Sequence, residues 1–269
     1  MSSSTTRRTG WAARWLTDEL ASLSHAGQWD AAIATFASMQ DSSIVDRNVF
    51  HYTTVISGCG RAGKWDAALR TFSHMQASGV TPNVYTFTSL IDACAEGQRP
   101  DLSPRVFALM RRSGCPPNVR TMTSLLKACA MQGEWERAVA ILDGCEELMI
   151  APNVYTYTAA INACRRAAQW VPAMQILTRM SKDAQGEIKP NHITYNAVIS
   201  TCVPANAWIP ALQVFAKMRQ DGFAPVPFTV TNLSLLLENQ PAILEEVRKI
   251  RVYRPSRSSD STGREIDHE

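Results

Sequence analysis

One segment of the chain recurs at an almost constant spacing, and this repetition limits the possible folds more than any other feature. At residues 82–94 the segment reads P-N-V-Y-T-F-T-S-L-I-D-A-C. Related copies occupy residues 117–129, 152–164 and 190–202, so the first three start 35 residues apart and the fourth starts 38 residues after the third. A fixed period of this size indicates an array of stacked supersecondary units, which derive their stability from contacts between neighbours.

We place the end of each repeat at the Asn of this segment. The array then consists of a degenerate repeat 13–48, the repeats 49–83, 84–118, 119–153, 154–191 and 192–226, and a partial repeat 227–250. We expect residues 1–12 to form a disordered leader and residues 251–269 a disordered polar tail, because both lack the repeat. The leader is rich in Ser, Thr and Arg, which fits either a transit segment or a plain leader.

Each repeat carries two apolar patterns of helical period. In repeat 84–118, Leu90, Ile91 and Cys94 lie on one face of a first helix, and Val106 and Met110 lie on one face of a second helix. Gly and Pro residues separate the patterns and end the helices. The sequence therefore predicts an all-α chain of helical hairpins.

The second helix has its own recurring residues. It opens with a Trp in most repeats, an Ala follows three residues later, and a Met recurs near its end. We interpret these residues as core, since the small Ala permits close helix packing and Met fills irregular gaps. They are Trp29, Trp65, Trp135, Trp170 and Trp208; Ala32, Ala68, Ala138, Ala173 and Ala211; and Met39, Met75, Met110, Met180 and Met218, with Cys145 in place of Met in repeat 119–153. In repeat 84–118, Pro100 replaces the Trp, and Ser103-Pro104 is expected to restart the helix later.

Five of the seven cysteines fall at one position of successive repeats: Cys59, Cys94, Cys129, Cys164 and Cys202. Equivalent residues on neighbouring helices are separated by roughly 8–10 Å, which is beyond the reach of a disulfide. We therefore expect free, buried thiols in a reducing compartment.

The bulk properties of the chain are not distinctive. Its net charge of +3 is too small to identify a nucleic-acid partner. No apolar run approaches the ~20 residues of a membrane-spanning helix, so no membrane partner is expected.

The repeat resembles that of the pentatricopeptide repeat family. Tetratricopeptide repeats, which bind proteins, have a period of about 34 residues, whereas the period here is 35 and the signature is P-N-V-Y-T-F-T-S-L-I with W-x-x-A-L in the second helix. The resemblance covers residues 13–250. It implies a right-handed superhelical solenoid whose first helices line a groove that binds single-stranded RNA, one base per repeat.

The resemblance also assigns site residues. The fifth and last residues of a repeat would read one base together: Thr17 with Asn48, Thr53 with Asn83, Thr88 with Asn118, Thr123 with Asn153, Thr158 with Asn191, and Asn196 with Val226. In the family the Thr and Asn pair favours adenine, so we expect an A-rich target. The hydroxyl and amide groups suit the mixed donor and acceptor pattern of an adenine edge. Val226 cannot form a hydrogen bond with a base, so its pair should be loosely specified.

The second residue of each repeat lies on the same helix face as the fifth. Aromatic rings and guanidinium planes stack on bases, so these residues are candidate stacking groups, although apolar residues at this position also pack against the preceding repeat. They are Arg14, Phe50, Tyr85, Arg120, Tyr155, Ile193 and Phe228. Candidate phosphate contacts are Arg61, Lys127, Arg165 and Arg166.

The expected function is sequence-selective RNA binding in organellar RNA processing, stabilisation or translation, in the mitochondrion or the chloroplast. The alternative is a protein-binding helical scaffold. We expect no enzyme, metal, cofactor or small-molecule substrate, because the sequence has no Cys-x-x-Cys for a zinc-dependent deaminase and no Asp cluster beyond the array for a nuclease.

Overall fold

The computed structural model describes residues 3–41, 47–182 and 188–249. Within these residues the regular structure consists of fourteen α-helices and a single 3-10 turn at Pro100–Leu102, with no strand. The predicted all-α fold is therefore confirmed. The chain divides into two compact units, Met1–Ala167 and Ala168–Glu269, and the division falls between the two helices of repeat 154–191.

Among the described residues, the first unit contains nine helices that follow the predicted hairpins. The first helices of successive repeats pack against one another in chain order, and each second helix packs against the first helix of its own repeat and of the next. The first helices are α1 (Ser3–His25), α3 (Val49–Arg61), α5 (Val84–Glu96), α7 (Val119–Gln132) and α9 (Val154–Arg166); the second helices are α2 (Trp29–Asp41), α4 (Trp65–Ala77), α6 (Ser103–Arg112) and α8 (Trp135–Glu147).

In the part of the second unit that the structure describes there are five helices, α10 (Trp170–Lys182), α11 (His192–Cys202), α12 (Trp208–Gln220), α13 (Pro227–Leu236) and α14 (Pro241–Lys249). Helix α11 packs against α10, α12 and α13, and α13 also packs against α14. The hairpin pattern of the first unit therefore continues within the second.

The Asn that closes each repeat also starts the next first helix. Asn83 has extended backbone angles, and its side-chain oxygen accepts a hydrogen bond of 3.0 Å from the backbone N–H of Thr86. Asn118, Asn153 and Asn191 cap α7, α9 and α11 in the same way. Such caps satisfy backbone donors that have no partner within the helix, which explains why these helices begin directly after the Asn.

The core lies where the recurring residues predicted it. The Ala and Met series and Cys145 are fully or almost fully buried, as are the five recurring cysteines, which are all free. The Trp residues are half-buried, because each lies at the start of its helix, over a turn. A Cβ at Gly97 would approach the Trp65 side chain to 2.7 Å, so this turn needs a glycine to admit the indole ring.

The starts of two helices differ from those in the regular repeats. Helix α6 starts at Ser103 after the 3-10 turn, as Pro100 and Ser103-Pro104 predicted. Helix α1 starts at Ser3, whereas we expected residues 1–12 to be a disordered leader. Its short polar residues do not prevent helix formation once the apolar face of residues 16–23 holds the helix in the array. The predicted tail 251–269 lies outside the described residues. No helix among the described residues is long and apolar enough to span a bilayer.

Candidate nucleic-acid interface

The first unit has a groove along its first helices. Its volume is about 510 Å³, and it is lined by residues of α3, α5 and α7 together with His25 at the end of α1. Among its lining residues are three of the predicted base-reading residues, Thr53, Asn83 and Thr88, and three of the predicted stacking residues, Phe50, Tyr85 and Arg120. The structure thus brings three members of each predicted set together in one concave surface.

The predicted stacking residues are exposed. Tyr85 and Tyr155 retain 63% and 77% of their surface in solvent, and Phe50 retains 52%. Arg120 is also exposed, and in the second unit Ile193 and Phe228 each retain 54%. Large apolar side chains are normally buried to at least half of their surface. Their exposure at one recurring position of the repeat therefore indicates a binding surface. Whether these rings stack on bases stays a prediction.

The threonines of the predicted base-reading pairs lie deeper than the rings, whereas Asn48 and Asn153 are exposed. Thr88 is only 3% exposed, while Thr53, Asn83 and Thr123 are half-buried. Each Thr is placed one turn after the exposed second residue, so its hydroxyl lies at the floor of the surface. A base that reached this floor would therefore lie between neighbouring exposed side chains.

In several base-reading pairs a third residue connects the two members. Thr121, the third residue of α7, lies with its hydroxyl oxygen 2.8 Å from that of Thr88 and 3.1 Å from the side-chain oxygen of Asn118. The backbone N–H of Asn118 also donates to the Thr121 hydroxyl oxygen over 3.4 Å. The Thr88 hydroxyl donates to the backbone oxygen of Val84 over 2.7 Å. One hydroxyl thus bridges both halves of the pair.

The same bridge recurs along the first unit. Thr86 links Thr53 to Asn83, because its hydroxyl oxygen lies 2.8 Å from that of Thr53 and 3.1 Å from the side-chain oxygen of Asn83. Thr156 links Thr123 to Asn153 with both distances at 3.0 Å. The bridging residues Thr86, Thr121 and Thr156 are fully buried, so these contacts are shielded from water.

The bridge persists where the sequence departs from the pattern. In the first pair, His51 replaces Thr: its Nδ1 accepts from the Asn48 backbone N–H over 3.2 Å, and its Nε2 lies 3.1 Å from the Thr17 hydroxyl. Burial, and secondarily the charge of Arg47, lower the pKa of His51. Because Nδ1 accepts a hydrogen bond from a backbone N–H, the proton of the neutral ring is on Nε2.

In the second unit, Thr229 bridges the pair formed by Asn196 and Val226. Its hydroxyl donates to the side-chain oxygen of Asn196 over 2.5 Å and accepts from the Val226 backbone N–H over 3.2 Å. The remaining pair consists of Thr158, in the first unit, and Asn191, in the second. Thr158 donates to the Val154 oxygen over 2.7 Å, and Asn191 caps α11 by accepting from the backbone N–H of Thr194 over 3.0 Å.

Sequence reasoning missed these bridging residues. The signal that could have found them is N-x-x-T, a capping residue followed three positions later by a polar residue that can return a hydrogen bond. The contact with the Thr of the preceding repeat has no sequence signal of its own, since 33 residues separate the partners.

The charged residues near the groove already have protein partners. Arg61 donates from Nη2 to the Ser24 carbonyl oxygen over 2.6 Å, and Lys127 forms an ion pair with Glu96. Arg165 and Arg166 are exposed at the end of α9, where Arg165 donates to Asn162 over 3.2 Å. Two of the four predicted phosphate contacts therefore also hold neighbouring repeats together.

One acidic residue lies among these cations. Burial raises the pKa of Asp92, while a hydrogen bond from Ser124 and the charges of Lys127 and Arg120 oppose this shift. The Asp92 carboxyl is thus harder to ionise than a solvent-exposed carboxyl. In the described residues no group of three or more His, Cys, Asp or Glu side chains is arranged to hold a metal ion.

Comparison with protein families gives consistent matches along the array. The PPR repeat family matches residues 47–96, the pentatricopeptide repeat domain matches residues 74–134, 105–167 and 140–205, and the PPR repeat matches residues 193–223. A search of curated proteins finds no match.

Solved structures with similar folds carry the same repeat. The crystal structure of the pentatricopeptide repeat protein PPR10 in complex with an 18-nt psaJ RNA element is 25% identical, with a TM-score of 0.57, over 87% of this chain and 32% of that chain. A crystal structure of the pentatricopeptide repeat protein PPR10 from maize is 19% identical, with a TM-score of 0.56, over 87% of this chain and 37% of that chain. This chain thus spans about a third of the length of PPR10.

A shorter relative in structure comes from Arabidopsis thaliana. The PPR domain of protein-only RNase P 1, in complex with tRNA, is 17% identical, with a TM-score of 0.58, over 70% of this chain and 97% of that chain. At this identity the likeness concerns the fold.

Proposed function

Because this chain belongs to the pentatricopeptide repeat family, we propose that the first helices of its array bind single-stranded RNA. Each base lies against the fifth residue of one repeat and the Asn that closes it, and the exposed second residues stack on the bases. Four consecutive pairs of Thr and Asn, from Thr53 to Asn191, give the target its A-rich character. The RNA-bound PPR10 structure supports this proposal.

The observation that carries the proposal is the groove of the first unit. Phe50, Tyr85 and Arg120 surround the recessed Thr53 and Thr88, so flat side chains alternate with hydrogen-bonding groups. This alternation is what a single strand needs, because stacking supplies affinity and the groups between the rings contact base edges.

We further propose that the protein acts by occupying its RNA, without catalysis, in the RNA metabolism of a mitochondrion or chloroplast. Occupied RNA is protected from nucleases or held open for translation. The array supplies hydrogen bonds, rings and cations, which are the groups of a binding surface.

The test is a change of base preference caused by two Asn→Asp substitutions. Asp caps helices as well as Asn, so Asn118→Asp with Asn153→Asp preserves the starts of α7 and α9 while it replaces amide donors with carboxylate acceptors. We expect fluorescence anisotropy to show that the unmodified protein prefers oligo(A), with affinity that weakens as salt rises, and that the double variant shifts toward G-containing RNA.

A matched control is Asn206→Asp with Asn239→Asp, which adds the same charge at exposed positions outside the groove. It should weaken binding slightly for all RNAs and leave the base preference unchanged. Unaltered base preference in the Asn118 and Asn153 variant would refute base reading by these pairs. A stoichiometric protein partner that survives nuclease treatment, together with no RNA binding, would favour the protein scaffold instead.

A further inference from the structure

We propose that the third residue of each first helix, represented by Thr121, is a positioning residue that fixes which hydrogen-bonding groups the base-reading pair presents to RNA. The inference rests on the proposed RNA function and extends it to a residue outside the pair. Thr121 is fully buried and is not itself available to a base. It acts through Thr88 and Asn118, both of which it contacts.

The side-chain amide of Asn118 has only one orientation that fits. Its oxygen accepts from the Thr121 backbone N–H over 3.0 Å and lies 3.1 Å from the Thr121 hydroxyl. A flipped amide would direct its NH2 group at the backbone N–H, where two donors would face each other. The NH2 group therefore points away from the helix start, and Asn118 offers a base hydrogen-bond donors only.

The hydroxyl of Thr88 is restricted to the opposite role, that of a hydrogen-bond acceptor toward a base. Its one hydrogen is directed to the Val84 carbonyl oxygen, 2.7 Å away. The Thr121 hydroxyl gives its single hydrogen to the side-chain oxygen of Asn118, so in the 2.8 Å contact between the two hydroxyls Thr121 accepts and the Thr88 hydrogen also faces the Thr121 oxygen. Thr88 consequently offers a base an acceptor, whereas an unrestrained hydroxyl offers either role.

The pair thus presents a donor and an acceptor in a fixed order. Adenine and cytosine present an exocyclic amino donor beside a ring-nitrogen acceptor, whereas guanine and uracil present an exocyclic oxygen acceptor beside a ring N–H donor. A base-reading pair with a fixed order of donor and acceptor matches the bases of one class. In the bases of the other class its donor faces a donor and its acceptor faces an acceptor. Without the Thr121 hydroxyl, Thr88 loses one of its two acceptors and the Asn118 oxygen loses one of its two donors, so both groups are less restrained and the mismatch costs less.

The pair of Asn196 and Val226 provides independent support. The Thr229 hydroxyl accepts from the Val226 backbone N–H, so its own hydrogen goes to the side-chain oxygen of Asn196, 2.5 Å away. The side-chain amide of Asn196 is thereby held with its oxygen toward Thr229 and its NH2 group directed away from it. A different residue at the fifth position is thus oriented by the same third-position hydroxyl.

The test removes two bridging hydroxyls with little change of shape. Thr121→Val combined with Thr156→Val keeps the β-branched side chains and the backbone N–H caps, while Thr121→Ser combined with Thr156→Ser keeps the hydroxyls. We expect the ratio of oligo(A) to oligo(U) affinity to fall about tenfold or more in the Val variant, because each lost bond changes discrimination severalfold. The Ser variant should keep the ratio.

A merely structural role predicts another pattern. If the Val variant binds oligo(A) and oligo(U) with equally reduced affinity, so that the ratio is unchanged, the positioning role is refuted. Circular dichroism checks that the variants fold, and the single Thr121→Val substitution, which removes one bridge and leaves the others, is used if the double variant does not.

A measurement without RNA separates this proposal from the proposed function. The side-chain NH2 resonances of Asn118 and Asn153, assigned with the Asn→Asp variants, should shift in ¹⁵N-labelled Val protein and not in Ser protein. Unshifted resonances in the Val variant would overturn the bridge. If the unmodified protein binds neither RNA, the RNA function is rejected, while the resonances still test whether the hydroxyl orients the amides.

Discussion

The hydroxyl oxygens of Thr88 and Thr121 lie 2.8 Å apart although 33 residues separate them in the chain. Thr88 belongs to α5 and Thr121 to the first turn of α7, so the contact crosses the border between two repeats. Because Thr121 also contacts Asn118, the residue that caps α7, helix initiation and the geometry of the candidate binding site depend on the same atoms.

Removal of a cap should destabilise the array. We expect Asn118→Ala to lower the free energy of unfolding by about 1 kcal/mol, since the backbone donors at the start of α7 lose their acceptor. Asn118→Asp should remain within a few tenths of a kcal/mol of the unmodified protein. Urea denaturation followed by circular dichroism measures both variants. Equal destabilisation by Ala and Asp would show that the side-chain oxygen is not the stabilising group.

Acid should destabilise the first pair of the array through His51. The pKa of His51 is lowered in the folded state, so the unfolded chain takes up a proton first as the pH falls. The contribution of His51 to stability is therefore complete above the unfolded pKa of 6.5 and is lost as the pH falls below it. Protonation of Nδ1 also removes the acceptor of the Asn48 backbone N–H.

The expected result is that His51→Thr, which installs the residue of the other repeats, reduces the loss of stability between about pH 7 and pH 5. Thermal unfolding at several pH values measures this loss. The control is His192→Gln, because His192 is exposed. If His192→Gln reduces the acid sensitivity as much as His51→Thr, His51 is not its source.

Loss of an exposed ring should weaken RNA binding without loss of stability. Tyr155 retains 77% of its surface in solvent, so Tyr155→Ala removes little packing. We expect the affinity for oligo(A) to fall by about 1–3 kcal/mol, the contribution of one base stacked on an aromatic side chain. Tyr155→Phe keeps the ring and should bind normally. As a further control, Met149→Ala removes an exposed apolar side chain that does not belong to a first helix.

The cysteines should differ in their reactivity with alkylating agents. Burial raises the pKa of Cys59, Cys94, Cys129, Cys164 and Cys202 to about 11, so few thiolates form near neutral pH. Cys115 is half-buried, and we expect it to react first with iodoacetamide. All seven cysteines should react in urea. Mass spectrometry after a time course would contradict this order if a recurring cysteine reacted before Cys115.

Much of the fold could be predicted because its determinants are local. The repeat length, the capping Asn, the Ala and Met of the second helix and the late start of α6 after Pro100 all follow from short-range patterns. The same patterns placed Tyr85 and Thr88 on one helix face, and the structure places both in the lining of the groove.

The remainder depends on which side chains meet across repeats. Arg61 and Lys127, which the sequence predicts as phosphate contacts, also contact Ser24 and Glu96 of the preceding repeats. The sequence did not single out Thr121. Its partners are fixed by how closely α5 and α7 approach, and the period of a single helix contains no information about that distance.

The bridge also determines how such an array can be rebuilt. Consider a repeat that is exchanged as a unit from its own first residue to its closing Asn. The exchanged unit includes the fifth-position Thr but not the third-position hydroxyl that orients it, because the following repeat supplies that hydroxyl. A transplanted module should therefore extend past its Asn through the first turn of the next helix. The smallest portable unit of recognition is thus longer than the 35-residue repeat and overlaps its neighbour.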